Sequence, residues 1–246
     1  MPGAGGVEGV VDLYHATDRL APRLRRTPVV ATFFDAIPHS RAEWVNPRMR
    51  ALKNWILLQA ARNADRIIVG SRAAAAEVSQ AYRISADRLR VTYLGIDADW
   101  SNAPPAKRVQ ATLRRFDLRP GYFLFVGTLQ PRKNLSLLLE AFERVDDSRR
   151  RERQLVIAGR FGWGVEALRD ALERRNDGRK VVWVNHVDDV ALRDLYAGAG
   201  CFVFPSKAEG FGLPVLEAMG AGLPVLASDI EVLREVAGSM ATYLPA

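Results

Sequence analysis

The 246-residue sequence contains one cysteine, three histidines and no long apolar run. A single cysteine, Cys201, excludes an internal disulfide, and its apolar surroundings favour a buried, inert thiol over a nucleophile. No apolar stretch of the sequence is long enough to span a bilayer, and the opening residues MPGAGGVEGV lack the basic and apolar regions of a signal peptide. We therefore expect a cytoplasmic protein with an ordinary buried core, since 48% of its residues are hydrophobic.

Lysine is also scarce, because only five of the 35 basic residues are lysine and the other 30 are arginine. The net charge is +7, and arginines cluster at residues 23–26, 114–115 and 149–151. Solvated surface is the favoured interpretation of these clusters, and peripheral contact with the inner face of a membrane is the alternative. No aromatic residues interleave with the charges as stacking platforms do, so nucleic acid is not expected as a partner.

Short apolar runs alternate with helical patterns, which predicts an α/β fold with parallel sheets. Strands are predicted at residues 10–15, 28–35, 66–71, 89–95, 122–127, 154–159, 180–185, 201–204, 224–228 and 241–244. Helices are predicted over residues 47–64 and 72–82 and from starts near residues 135, 164, 188, 214 and 230. A polar stretch with paired prolines predicts a linker at residues 101–120, between a partial first domain (1–100) and a nearly whole Rossmann-like domain (121–246). The small residues at 1–9 predict a flexible tail.

Two carboxylates flank a predicted helix start in the stretch SKAEGFGLPVLEAMGAG, residues 206–222. A buried strand precedes it, Pro214 suits the first turn of a helix, and Gly222 suits the position that ends one. Glu209 then lies on the loop at the carboxyl end of a strand, where open α/β sheets bind ligands. Glu217 is predicted in the first turn, where the helix dipole alone would favour it. Both carboxylates can face one ligand.

Two adjacent cations, Arg132 and Lys133, follow the first strand of the second domain and precede Asn134, a predicted N-cap. Cations at a helix N-terminus oppose the macrodipole, so a bound anion would explain their placement. A solvated surface pair is the alternative.

The string from Glu209 to Glu217, with GFGLP between them, resembles the Glu-x7-Glu signature of the retaining, nucleotide-sugar-dependent glycosyltransferases of family 4, which have the GT-B fold. VGTLQPRKNL at residues 126–135 extends the resemblance. It implies two Rossmann-like domains and transfer of a hexose, mannose favoured, to a glycan or lipid-linked acceptor with retention and without a metal or other cofactor. That version of the loop resembles bacterial enzymes of O-antigen or exopolysaccharide synthesis. Compared with the family, the chain is expected to lack the first strands of its acceptor domain and the final helices of its donor domain.

The resemblance also implies roles for particular residues. Arg132 and Lys133 would clamp the diphosphate of a GDP- or UDP-sugar as catalytic residues, and Glu209 would contact the donor sugar. Glu217 would bind the ribose, and residues 185–187 would line the base pocket. The remaining donor-binding candidates are Gly127, Thr128, Val187, Phe211, Gly212 and Leu213.

The first domain departs from the family pattern, because Thr32-Phe33-Phe34-Asp35 has no histidine before the aspartate. His15 and Asp35 are the acceptor-side candidates, and a packed or capping role is the alternative for His15. Asp97-Ala98-Asp99 fits a metal-binding Asp-x-Asp pattern, but its place at the entrance to the linker argues against a metal.

Other functions stay open at this point. A sugar epimerase and a non-catalytic nucleotide-sugar-binding fragment or subunit are alternatives, whereas a phosphorylase would need a pyridoxal lysine that has no recognisable setting here. We expect the isolated chain to bind UDP or GDP and to transfer sugar only at a trace rate, because the cleft needs both domains.

Overall fold

The computed structural model describes residues 6–41, 44, 47–145, 153–175 and 180–245. The arginine cluster at residues 149–151 lies outside the described residues. The described chain forms two compact units, each built on its own parallel sheet. The first unit comprises residues 1–94 with three loop residues, Glu209–Phe211, and the second comprises residues 95–208 and 212–246.

The first unit holds a four-stranded parallel sheet in the order β1-β2-β3-β4. Its strands are β1 (Tyr14–Ala16), β2 (Val29–Phe33), β3 (Arg66–Val69) and β4 (Leu89–Val91). Its helices are α1 (Ile37–Ser40), α2 (Pro47–Asn63) and α3 (Arg72–Tyr82), and a 3-10 turn covers Ala86–Arg88. The core is rich in small residues, because α2 buries Ala60 and Ala61 completely and can therefore approach the sheet closely.

One expectation for the first unit was wrong. The predicted strand at residues 10–15 begins only at Tyr14, since Val10 is 78% exposed and lies in a turn. Trp55 of α2 is also exposed, over 59% of its surface. An apolar residue is a weak indicator of burial at a surface position, because most folded proteins expose many apolar atoms.

The second unit holds a six-stranded parallel sheet in the order β10-β9-β8-β5-β6-β7. Its strands are β5 (Tyr122–Val126), β6 (Leu155–Ala158), β7 (Val181–Val184), β8 (Ala199–Phe204), β9 (Val225–Ser228) and β10 (Ala241–Leu244). Its helices are α4 (Ala106–Arg115), α5 (Leu135–Arg144), α6 (Glu166–Arg175), α7 (Asp189–Gly198), α8 (Leu213–Gly220) and α9 (Glu231–Ala237). Three 3-10 turns cover Ala98–Ser101, Pro131–Lys133 and Gly238–Met240.

This strand order is that of a doubly wound Rossmann-like sheet, in which the chain moves outward in both directions from a central strand. β5 is that strand, with β6 on one side and β8 on the other. β6 is buried along its whole length, as its apolar run predicts. Loops that follow β5 and β8 therefore flank the point where the strand order reverses, which is where such sheets bind ligands.

The predicted linker at residues 101–120 contains α4, and the boundary between the units falls earlier, after Leu94. Two hydrogen bonds tie α4 to α7 in the second unit. Arg108 Nε donates to Asp194 Oδ1 at 3.0 Å, and Thr112 Oγ1 donates to Asp194 Oδ2 at 2.7 Å. The Asp194 side chain is completely buried, so these bonds compensate for the desolvation of its carboxylate.

Candidate functional site

The loop after β5 is held against the loop after β6 by backbone contacts. Leu129 N donates to Arg160 O at 2.8 Å, and Gly162 N donates to Leu129 O at 2.8 Å. Gly159 directly follows β6 with φ near +154°, and a Cβ added there would lie 2.0 Å from Gly127 O. A glycine is required at this point, because only an absent side chain lets the two backbones approach so closely.

Arg132 joins the loops that follow β5 and β8. Its Nη1 donates to Ala208 O at 2.8 Å, and its Nε donates to Gln130 Oε1 at 3.2 Å. In return, Lys207 N donates to the Arg132 backbone oxygen at 2.8 Å. The guanidinium is therefore fixed at the point where the strand order reverses, with planar donors that suit a phosphate.

Lys133 is almost completely buried, with 5% of its surface exposed. Its Nζ lies 4.6 Å from the centroid of the Phe204 ring, at the end of β8, which is a cation–π distance. A charge interacts more strongly with an opposite charge in a buried position than in water, so this ammonium group suits an anion site. Arg132 and Lys133 are thus brought together with Gly127, whose Cβ position lies 3.6 Å from Lys133 Nζ.

Asn134 occupies the N-cap position of α5, as predicted, but its side chain makes no capping hydrogen bond. The residue adopts the left-handed conformation, with φ of 56° and ψ of 34°, and α5 begins at Leu135. Arg132 and Lys133 lie in the 3-10 turn that precedes it rather than in the first turn of the helix. The two cations still lie beside the N-terminus of α5, where an anion would be favoured. Thr128, on the same loop, is exposed.

The helix α8 begins at Leu213, directly after Gly212, whose φ is 103°. Pro214 occupies the second helical position, and the helix ends at Gly220 in a Schellman motif closed by Gly222 N to Met219 O (3.0 Å) and Leu223 N to Ala218 O (2.9 Å). The predicted backbone donors of Gly212 and Leu213 therefore do lie at a helix start. Early N–H groups of a helix have no partner within it, so they can bind an anion.

Glu217 is the fifth residue of α8, not a residue of its first turn as predicted. The macrodipole therefore gives little reason for a carboxylate here. Its Oε2 accepts a hydrogen bond of 2.9 Å from the hydroxyl of Tyr196, a completely buried residue of α7. Burial raises the pKa of Glu217, an effect that the Tyr196 hydrogen bond opposes and the nearby charge of Asp189 reinforces. Burial also raises the pKa of Tyr196 far above its usual value, so its hydroxyl stays protonated and donates.

Glu217 faces a cavity of about 370 Å³ that also involves the start of α7 and the segment before α4. Asp189 and Val190 line it, and they lie two and three residues after Val187, the predicted base-pocket residue, which is half-buried. Asn185 and His186 are exposed, and His186 Nδ1 lies 3.0 Å from Arg160 Nη2. The structure thus brings the start of α7, which follows this segment, to the same cavity as Glu217.

The two aspartates of the Asp-x-Asp pattern have structural partners in the second unit. Asp97 Oδ1 accepts from Asp99 N at 2.9 Å and so caps the 3-10 turn Ala98–Ser101. Asp99 Oδ2 lies 3.3 Å from Arg193 Nη1. The described residues contain no group of three acidic, histidine or cysteine residues that could hold a metal ion.

The remaining candidates belong to the first unit. His15 lies in the middle of β1, and its Nε2 is 3.0 Å from Thr32 Oγ1 on β2. Asp35 follows β2, accepts from Ile37 N at 3.2 Å and lies 3.4 Å from Arg19 Nη1. The site candidates Glu209 and Phe211 are grouped with this unit; Glu209 is half-buried, and Phe211 is buried.

Sequence reasoning missed Ala208, Phe204 and Tyr196. Ala208 contributes only a backbone oxygen, which no residue type signals, and Phe204 was assigned only to the buried strand. Tyr196 of α7 contacts Glu217 of α8 although 21 residues separate them in the chain, and no local sequence pattern reports such a contact.

Solved structures with this fold are GT-B glycosyltransferases. WaaG, described as a glycosyltransferase involved in lipopolysaccharide biosynthesis, matches 96% of this chain and 65% of its own with a TM-score of 0.74 and 18% identity. HepE from Anabaena, solved in complex with UDP and glucose, matches 89% of this chain and 58% of its own with a TM-score of 0.70 and 20% identity. These likenesses confirm the predicted fold class, α/β of the GT-B type with parallel sheets.

The family follows from the sequence. Residues 113–243 match the glycosyl transferases group 1, and residues 10–100 match glycosyltransferase family 4. The chain therefore belongs to the glycosyl transferases group 1 family, and the predicted family is confirmed.

Relatives with similar sequences include bacterial mannosyltransferases. The O-antigen chain mannosyltransferase B of Escherichia coli is 34% identical over 229 residues, which are 92% of this chain and 59% of that protein. The serotype-specific mannosyltransferase WbdA of Escherichia coli is 32% identical over 221 residues, 85% of this chain and 27% of that protein. The chain thus spans less than two thirds of the length of either relative. No helix among the described residues is long and apolar enough to cross a membrane.

Proposed function

We propose that this chain carries the nucleotide-sugar site of a retaining glycosyltransferase that transfers a hexose, with mannose favoured. The donor would be a GDP- or UDP-sugar, and the acceptor a glycan or a lipid-linked glycan of a bacterial cell-surface polysaccharide. This function requires a cytoplasmic protein, which would work at the inner face of the membrane if its acceptor is lipid-linked. Support comes from the names of the mannosyltransferase relatives and from HepE, whose structure contains UDP and glucose.

One observation carries the proposal: a buried lysine and a fixed arginine lie together where the sheet's strand order reverses. Arg132 is held by Ala208 O, and Lys133 lies over Phe204 with 5% exposure. Negative charge grows on the donor diphosphate as its bond to the sugar breaks, so fixed cations in a water-poor site stabilise the transition state more than the ground state. The proposal needs no metal for this step, because both cations come from the chain.

The other residues divide the donor between them. Glu217 would accept hydrogen bonds from the ribose hydroxyls, with the base near Val187, and Glu209 would contact the donor sugar. Gly127 and Thr128 would line the diphosphate with the N–H groups at the start of α8, from Phe211, Gly212 and Leu213. His15 and Asp35 would act on the acceptor side.

Titration calorimetry with GDP and UDP tests the cation clamp. The double variant Arg132→Ala with Lys133→Ala should weaken binding by about 2 kcal/mol or more, since hydrogen bonds to charged groups contribute roughly 1.5–3 kcal/mol each. The matched control is Arg114→Ala with Arg115→Ala, an exposed adjacent pair at the end of α4. Because Arg132 also holds Ala208, thermal melts of each variant must accompany the titrations.

Transfer is measured in a separate assay, which follows the transfer of mannose from GDP-mannose or UDP-mannose to a lipid-linked acceptor pool. Binding of neither nucleotide to the unaltered chain would overturn the proposal. Equal affinity in the clamp variant and its control would remove Arg132 and Lys133 from the mechanism. Nucleotide binding without transfer would favour the non-catalytic alternative for this chain.

A further inference from the structure

Tyr196 holds one oxygen of Glu217 in place. The residue is completely buried, and its hydroxyl donates to Glu217 Oε2 at 2.9 Å, with Pro214 O as a longer acceptor at 3.3 Å. Within the described part of the chain, the carboxylate of Glu217 has no other hydrogen-bond partner. One carboxylate oxygen is therefore occupied, and the other is left for a ligand in the cavity of about 370 Å³ that Glu217 lines.

The ring of Tyr196 is itself fixed by aromatic neighbours. Trp100 meets it edge-on, with ring centroids 5.1 Å apart and planes at 90°, and Phe202 packs against it at 5.5 Å. Trp100 is held in turn by the guanidinium of Arg193, 5.5 Å from its ring centroid. A phenol packed in this way has one available orientation, so its hydroxyl fixes the side-chain rotamer of Glu217.

Close packing of the segment before α4 depends on a residue without a side chain. A Cβ on Gly220, the last residue of α8, would lie 2.6 Å from Ile96 Cδ1 and 3.1 Å from Trp100 Cβ. Trp100 can therefore reach Tyr196 only because Gly220 leaves the surface of α8 open. The contacts Trp100–Tyr196 and Tyr196–Glu217 form one continuous support behind the carboxylate.

We propose that Tyr196 is a positioning residue that orients Glu217 and thereby sets how strongly the site selects nucleotides with free ribose hydroxyls. The inference rests on the proposed function, in which Glu217 accepts hydrogen bonds from the ribose. A carboxylate that is held before binding loses less conformational freedom when a ribose hydroxyl donates to it. Without the phenol, the side chain of Glu217 loses conformational freedom when a ribonucleotide binds, so the ribonucleotide binds more weakly. A nucleotide without ribose hydroxyls makes no hydrogen bond to Glu217, so its affinity does not depend on the phenol.

The test compares a ribonucleotide with its 2′,3′-dideoxy analogue by titration calorimetry, using whichever of GDP and UDP binds more tightly. The unaltered chain should prefer the ribonucleotide by about tenfold or more, the worth of one hydrogen bond to a charged group. In Tyr196→Phe the preference should fall to about threefold or less, entirely through weaker ribonucleotide binding. In Glu217→Gln, adding Tyr196→Phe should cause no further loss of preference.

Tyr122→Phe is the matched control. Tyr122 is also completely buried, and its hydroxyl donates to Leu195 O at 2.6 Å, one residue before Tyr196. This variant should lower the melting temperature as Tyr196→Phe does and leave the ribose preference unchanged. If Tyr196→Phe does not fold, Trp100→Leu, which removes the edge-on ring contact and keeps the hydroxyl, should lower the preference by about two- to fivefold.

The outcomes separate the inference from the proposed function. If Tyr196→Phe loses affinity for both nucleotides to the same extent, Tyr196 has a packing role alone and the inference is overturned. The inference is also overturned if Tyr196→Phe keeps the full preference for the ribonucleotide. An unchanged preference for the ribonucleotide in Trp100→Leu would overturn the inference as well. An unaltered chain that binds neither nucleotide would contradict the proposed function itself, and one that binds both equally would contradict the ribose role of Glu217 and the inference with it.

Discussion

Substitution of Gly159 by alanine should disturb the candidate site from the neighbouring strand. The added Cβ would lie 2.0 Å from Gly127 O, while ordinary contact begins at 3.4 Å, so the backbones must separate by about 1.4 Å. Alanine at a φ of 154° adds conformational strain. Strain of about 1–3 kcal/mol and overpacking of about 1–3 kcal/mol together predict a loss of about 2–6 kcal/mol in the free energy of unfolding.

Gly127 begins the loop that carries Arg132 and Lys133, so part of the displacement should reach both cations. A misplacement of about 1 Å at a charged site costs up to about a hundredfold in function, and we expect GDP or UDP to bind at least tenfold more weakly. Urea denaturation and calorimetry measure the two effects. Gly222→Ala isolates the strain of a positive φ, because Gly222 has a φ of 73° with nothing within 4 Å of its Cβ position. A Gly159→Ala protein with the stability of Gly222→Ala and unchanged nucleotide affinity would refute the close-approach argument.

Three further predictions concern carboxylates. Glu209→Gln should spare free GDP or UDP and weaken binding of the intact nucleotide sugar, whereas equal losses would contradict its assignment to the sugar. Burial raises the pKa of Glu217 in the folded state, so the stability contributed by its protonated form is lost as pH rises through that pKa. Glu217→Gln should therefore have a higher melting temperature than the unaltered chain at pH 7. This difference should disappear below about pH 4, where the carboxyl group is protonated in both the folded and the unfolded state. If Glu217→Gln instead melts at a lower temperature than the unaltered chain at pH 7, the expected sign of this effect is wrong. Asp194→Ala breaks a buried pair and should cost about 3 kcal/mol in urea denaturation, against less than about 1 kcal/mol for the exposed Asp99→Ala; similar losses would show that burial of Asp194 is unimportant.

Strands of the second unit could be predicted from sequence because they are short apolar runs between polar or glycine-bearing loops. β6, which is buried along its whole length, differs from its predicted bounds by one residue at each end, and the half-exposed edge strand β10 has the predicted bounds. The edge strand of the first sheet, β1, was predicted less well, because it has only three residues and the predicted run begins four residues too early. Alternation of strands and helices was enough to predict the fold class, since parallel strands need crossover connections.

The parts of the site that sequence could not predict depend on contacts between distant segments. Arg132 and Lys133 were identified from their charge, but the anchor of Arg132 on Ala208 O depends on β5 and β8 being neighbours. Asn134 could be identified as the N-cap of α5 from its residue type, but its left-handed conformation and the lack of a side-chain capping bond could not. Helix α4 was predicted as linker because its sequence is polar and follows two prolines; only the buried Asp194 shows what it packs against.

The central place of β5 in its sheet has a consequence for how the protein is made. One neighbour of β5, β6, ends at residue 158, but its other neighbour, β8, begins only at residue 199. At a synthesis rate of about 5–20 residues per second, the roughly 70 residues between β5 and β8 take on the order of 4–14 s to appear. Throughout that interval one side of β5 presents unpaired backbone groups next to apolar side chains, a state that can pair with other chains. The arginine–lysine loop is thus synthesised early, and its contacts with Phe204 and Ala208 must wait until β8 has been added.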